Sequence, residues 1–178
     1  MEDERRIGGS ALRLIIGDVT DLDVECFVYY ARSDLLLGSG FGTAISVRGG
    51  PAVQEELKKL APVAVTEAVI SSAGNMKARQ IIHAVGPRFQ EEDLEERLRL
   101  TMINVLRLAD RKEIRQLGFP AMGAGFYGVP LALCARVMIT TIENYLQGES
   151  GLEEIILCAR DAREYAVFKS ELAATIKA

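Results

Sequence analysis

Short apolar runs alternate along the chain with segments of helical period. Runs at Leu12–Ile16, Glu25–Tyr30, Ala68–Ser72, Gln80–Val85, Gln116–Phe119 and Glu154–Ala159 predict strands. Between them, helices are predicted over Gly42–Leu60, Leu94–Arg111, Pro130–Gln147 and Asp161–Ile176. The third of these is the most regular, with Leu131, Cys134, Ala135, Met138, Ile142 and Tyr145 on one apolar stripe. The strand before it, and Ile155–Ala159 after it, are apolar on both faces, as in a sheet covered by helices on each side. The alternation predicts an α/β fold of three layers, α/β/α, around a mixed sheet of about six strands. The strands near 70 and 82 are joined only by Ala73-Gly74-Asn75-Met76-Lys77, too short for a crossover, so that pair is expected to be antiparallel. Residues 1–10 read as a polar tail hinged at Gly8-Gly9, with 11–178 as a single domain.

Composition narrows the chemistry. The chain has 178 residues, 49% hydrophobic and 26% charged, with a net charge of −4. No global positive field draws it to nucleic acid, and nucleic acid is not expected as a partner. Cys26, Cys134 and Cys158 are scattered through apolar stretches, the setting of buried free cysteines. With one histidine and neither a CxxC nor an HExxH, no metal site and no cofactor are expected. No run approaches the roughly 18 apolar residues that cross a bilayer, so no membrane partner is expected. The expected setting is a reducing, cytoplasmic one. Oligomeric state is not legible.

Two glycine-rich segments carry the functional signal, each just before a predicted helix. The first is Leu37-Gly38-Ser39-Gly40-Phe41-Gly42-Thr43. The second is Phe119-Pro120-Ala121-Met122-Gly123-Ala124-Gly125-Phe126-Tyr127-Gly128. Glycines let backbone amides approach an anion closely, and a helix N-terminus adds unpaired N–H groups and a favourable dipole. Two such loops at the carboxyl ends of strands in an open sheet can hold a diphosphate. Either loop taken alone is equally a tight turn. Neither is a Walker loop, since no Gly-Lys-Ser/Thr follows, and neither spells GxGxxG.

Taken in order, the motifs resemble the macrodomain family, whose modules bind ADP-ribose and related nucleotides. They are Gly17-Asp18-Val19-Thr20 after the first strand, the Gly38–Gly42 loop, Gly49-Gly50-Pro51 at a helical interruption, His83-Ala84-Val85-Gly86-Pro87, and Phe119-Pro120-Ala121 through Gly128-Val129-Pro130. The resemblance spans about residues 12–172. It implies a partner that is ADP-ribose or an ADP-ribosylated molecule, held over the strand ends. It implies that Asp18 meets the adenine amino group with the Val19 amide nearby, although Asp18 also suits an Asx turn or helix cap. It puts the diphosphate and distal ribose against Gly38, Ser39, Gly40, Phe41, Gly42, Gly123, Ala124, Gly125, Phe126 and Tyr127. Tyr127 reads equally as a packed loop aromatic. Arg160 stands where relatives often place an aromatic beside adenine. It either stacks on the purine or pairs with Asp161 or Glu164. Asp161 is a plausible N-cap for the last helix.

The chain departs from the family where hydrolytic members carry Asn-Ala-Ala-Asn. It reads Tyr29-Tyr30-Ala31-Arg32 there, and Gly42 stands where the deacetylase and mono-ADP-ribosyl-hydrolase branch has an Asp. Glycine offers no base, and Arg does not deprotonate near neutral pH. Asp34 reads as a turn residue, Lys77 as part of a strand connection, and His83 as a packed histidine. Arg32 either contacts a ribose or phosphate or, with Tyr29 and Tyr30, fills the ribose pocket. The expected function is therefore binding of ADP-ribose or a related nucleotide with weak or no hydrolysis. The alternatives are a hydrolase of ADP-ribosyl groups, of O-acetyl-ADP-ribose or of ADP-ribose 1″-phosphate, and a degenerate module acting through protein contacts.

Overall fold

Seven strands in one mixed sheet carry the fold in the computed structural model, which describes residues 1–38 and 40–175. In chain order they are β1 (Glu2–Ile7), β2 (Ser10–Ile16), β3 (Cys26–Tyr30), β4 (Ala68–Ser72), β5 (Gln80–Ala84), β6 (Gln116–Phe119) and β7 (Glu154–Ala159). In space the order is β1-β2-β7-β6-β3-β5-β4. The five central strands are parallel, while β1 and β4 close the two edges antiparallel. The predicted hairpin of β4 and β5 is present, with Ser72 opposite Gln80.

Helices α1 (Phe41–Gly49) and α2 (Pro51–Leu60) cover one face; α3 (Leu94–Arg111), α4 (Leu131–Leu146) and α5 (Ala162–Thr175) cover the other. Alternation along the strands feeds both cores. Val28 and Ile82 pack towards Met102, Met138 and Phe168, whereas Phe27 and Ile81 pack towards Ile45, Val53 and Leu57. All of these side chains are essentially excluded from water, and each contributes about 1.5–3 kcal/mol of burial.

Two expectations are corrected. Residues 2–7 are a strand rather than a tail, and they raise the strand count from about six to seven. Gly8-Gly9 forms a two-residue hairpin loop that sets Ile7 opposite Ser10. Glu-Asp-Glu-Arg-Arg lacks an apolar face because β1 is an edge strand, where charge discourages pairing with other chains. Its charges are used: the Arg5 guanidinium reaches Glu143 and the Leu172 carbonyl, and the Tyr165 hydroxyl donates to Asp3. The segment 42–60 is two helices rather than one. Gly50 takes φ 86°, a left-handed value that glycine favours, and Pro51 opens α2 at its first turn. Ile176, the expected end of the last helix, lies outside the described residues.

Candidate functional site

Because the central strands are parallel, their carboxyl ends share one edge of the sheet. Five segments leave it there: Gly17-Asp18 after β2, the first glycine loop after β3, Val85-Gly86 after β5, the second glycine loop after β6, and Arg160-Asp161 after β7. Those after β3, β6 and β7, with the ends of β3 and β7, enclose a cleft of about 330 Å³. Its walls include Gly38, Gly40 and Phe41 from the first loop and Gly123, Gly125, Phe126 and Tyr127 from the second. Arg32 and Arg160 bring positive charge to the wall.

The first loop ends on Gly40, at φ 62°, and its carbonyl accepts from the Thr43 and Ala44 amides at 3.1 and 3.3 Å. That leaves the Phe41 and Gly42 amides, the first two of α1, with no acceptor inside the helix. The second loop folds on itself: the Val129 amide donates to the Gly123 carbonyl and the Gly128 amide to Gly125, both at 3.0 Å. Gly123 has φ 75°, and a Cβ there would lie 2.7 Å from Val129 Cγ2 and 3.0 Å from Tyr30 Cζ. Tyr30 therefore sits beneath this loop, edge-on to Tyr127 at 4.8 Å between ring centroids, with its hydroxyl donated to the Pro87 carbonyl. Phe126 stands 84% exposed at the rim.

Other expected residues lie outside the cleft wall. Asp18 Oδ1 accepts from the Thr20 amide at 2.9 Å and its hydroxyl at 2.6 Å, and Oδ2 pairs with Arg48 at 3.1 Å. This is the cap of a short 3-10 turn over Val19–Asp21. Partial burial pushes the Asp18 carboxyl up, but the Thr20 and Arg48 bonds outweigh it and leave the pKa below the usual carboxylate value. The segment still borders the cleft, since a Cβ on Gly17 would lie 3.5 Å from Cys158 Sγ, and Cys158 lines the wall. Val19 is buried, and neither Ala124 nor Gly42 lines the cleft. Ser39 lies outside the described residues.

At the far side, Arg160 pairs with Glu164: its amide donates to Oε2 at 2.8 Å and its guanidinium stands 3.6 Å from Oε1. Asp161 Oδ1 accepts from the Glu164 amide at 2.9 Å, the capping bond expected of it. Sequence reasoning missed Cys158 and Glu164 as cleft residues and named Tyr29 only as one that fills the ribose pocket. Glu164 was read only as a partner for Arg160; its place in the first turn of α5 is what brings it to the wall. Tyr29 depends on a long-range fit, for a Cβ on Gly42 would stand 2.6 Å from its Oη. The phenol occupies the space of a side chain at position 42.

General bases are scarce. Asp34 pairs with Arg32 at 2.7 Å and accepts from the Leu36 amide at 3.0 Å, and these bonds hold its carboxyl below the usual range. His83 is fully buried beneath the sheet edge, 2.8 Å from Ser71 Oγ, and burial pulls its pKa to about 3. It is a packed neutral ring outside the cleft wall. Lys77 pairs with Asp21 at 3.0 Å. Among the described residues, no cluster of three metal-ligating side chains occurs and no helix is long and apolar enough to cross a membrane.

A strand-end cleft between two glycine loops, on a largely parallel sheet, is where open α/β proteins place their ligands. The family model described as Macro domain matches residues 29–138, and the chain belongs to that family. An uncharacterized protein of Saccharolobus solfataricus is 36% identical over 166 residues, covering 91% of this chain and 92% of its own. A macro domain-containing protein of Caldanaerobacter subterraneus is also 36% identical, covering 88% of this chain and 93% of its own. Among solved structures, a mutant Oceanobacillus iheyensis macrodomain with ADPR superposes at TM-score 0.95 and 26% identity over 100% of both chains. The Trypanosoma brucei macrodomain in complex with ADP-ribose superposes at TM-score 0.85 and 25% identity, covering 90% of this chain and 68% of its own.

Proposed function

We propose that the cleft binds ADP-ribose or a related ADP-ribose-containing nucleotide or modification, with weak or no hydrolysis. The observation that carries this reading is the pair of glycine loops facing one another across a cleft of about 330 Å³, one of them opening directly into α1. Amides with no acceptor inside the helix and open glycine surfaces suit a diphosphate, and Arg32 and Arg160 complement its charge. The ADP-ribose and ADP complexes of the superposable macrodomains support the same ligand class.

Binding without turnover is supported by the composition of the distal end. Position 42 is glycine with a phenol packed over it, Asp34 is tied to Arg32, and His83 is buried away from the cleft. A missing positioned base forfeits about 10²–10⁴ in rate. The buried, free cysteines suit the reducing, cytoplasmic setting that we propose with it. The test is multiple turnover on mono-ADP-ribosylated protein and on O-acetyl-ADP-ribose at micromolar protein. The expected rate matches the protein-free control. Clear turnover abolished by a single carboxylate or His83 substitution would make this a hydrolase.

A further inference from the structure

Tyr29, in β3, and Arg32, just after it, both line the cleft. Tyr29 is 8% exposed, yet it forms part of the cleft wall. Its hydroxyl makes no hydrogen bond among the described residues. The hydroxyl is not among the fully buried unpartnered atoms, so it is open to the cleft and free to donate to a ligand atom. It lies beside the first turn of α1, because a Cβ on Gly42 would come within 2.6 Å of Oη. Phe41, the first residue of that turn, lines the same cleft. Arg32 lines the cleft as well, its guanidinium steadied by Asp34 at 2.7 Å, and its charge acts on the Tyr29 phenol.

We propose that the Tyr29 hydroxyl and the Arg32 guanidinium form a donor pair that grips an anionic oxygen of the ligand at the N-terminus of α1, and that glycine at position 42 is required to keep the hydroxyl in place. The chemistry is consistent throughout. Burial pushes the phenol up to about 12, so it remains a proton donor across the neutral range. The guanidinium has no acceptor capacity, and the helix N-terminus favours negative charge. The site therefore selects a phosphate oxygen over a neutral hydroxyl. Position 42 and position 29 are then one unit: any side chain at 42 displaces the hydroxyl, and any residue shorter than tyrosine at 29 abandons the donor.

This inference rests on the ADP-ribose reading, and the experiment separates the two. ADP-ribose and adenosine are titrated calorimetrically into wild type, Tyr29→Phe, Arg32→Gln, Gly42→Ala and the Tyr29→Phe/Gly42→Ala double variant, with melting temperatures recorded for each. Tyr29→Phe keeps the ring and removes only the hydroxyl. It is expected to weaken ADP-ribose about tenfold, the loss of one hydrogen bond to a charged acceptor, and Arg32→Gln at least as much. Adenosine, which has no phosphate, is expected to bind all the variants alike. Gly42→Ala is expected to weaken ADP-ribose in wild type but to add little in the Tyr29→Phe background, since the Cβ then meets no hydroxyl. Tight wild-type binding with Tyr29→Phe within twofold of it overturns this inference and leaves the ADP-ribose reading standing. Equal and additive losses from Gly42→Ala in both backgrounds also overturn it. Failure of wild type to bind ADP-ribose overturns both.

Discussion

Two glycines two residues apart in the second loop are expected to respond oppositely to substitution. A Cβ on Gly125 meets nothing within 4 Å, and its φ lies outside the left-handed region. Gly125→Glu should therefore fold normally, with a melting temperature close to that of wild type. Its carboxylate, however, enters the wall of the cleft. Two unit charges about 5 Å apart repel by about 3 kcal/mol at an effective dielectric of about 20, and by about 1 kcal/mol in water. A diphosphate carries two such charges, so the combined cost is about 2–6 kcal/mol, or roughly 30-fold to more than a thousandfold in affinity. Gly123→Ala is the converse. At φ 75° the new methyl lies 2.7 Å from Val129 Cγ2 and 3.0 Å from Tyr30 Cζ. Left-handed strain of about 1–2 kcal/mol adds to about 1–3 kcal/mol of overpacking, which lowers the melting temperature by roughly 5–15 °C. Calorimetry with ADP-ribose and thermal melts on both proteins check the pair. If Gly125→Glu binds ADP-ribose within threefold of wild type, the diphosphate lies elsewhere and the reasoning fails.

Asp18→Ala should weaken ADP-ribose about ten- to a hundredfold if its carboxylate meets the adenine, and should also cost about 1 kcal/mol of stability by removing the cap on Thr20. Unchanged affinity in the folded variant would remove Asp18 from the site. His83 makes stability depend on pH: the unfolded imidazole takes up a proton below about 6.5, whereas the buried ring stays neutral down to about 3. Its contribution is complete above pH 6.5 and is lost as pH falls towards 3, at about 1.4 kcal/mol per unit. Denaturant titrations between pH 7 and 5 should show wild type losing more stability than His83→Gln, and equal slopes would contradict the assignment. Gly42→Asp alone should not restore a hydrolase, because the Tyr29 hydroxyl occupies the space of the new side chain; any gain in turnover requires Tyr29→Asn in the same protein.

The central sheet was legible because fully buried parallel strands leave unbroken apolar runs, as in Ile155–Ala159, and because α4 carries its stripe openly. The first strand was not, since an edge strand covered with charge has no apolar alternation to read. The Gly8-Gly9 hairpin was its only trace. Of the cleft, the glycine loops could be read locally, because close backbone approach demands glycine in the sequence itself. The Tyr29–Gly42 fit could not. It joins a strand residue to a helix residue thirteen positions away by a contact between a hydroxyl and an empty space, and nothing in either residue type announces it. Asp18 was half legible: its cap on Thr20 is local and was one of the two readings, whereas its pairing with Arg48 comes from α1.

Calorimetric titration of ADP-ribose into the wild-type protein, with the Gly125→Glu variant as its matched control, tests the central claim most directly. The account predicts a saturable isotherm of one ligand per chain for wild type, with micromolar or tighter affinity, and its loss in the variant at an unchanged melting temperature. A wild-type trace no different from dilution would contradict it.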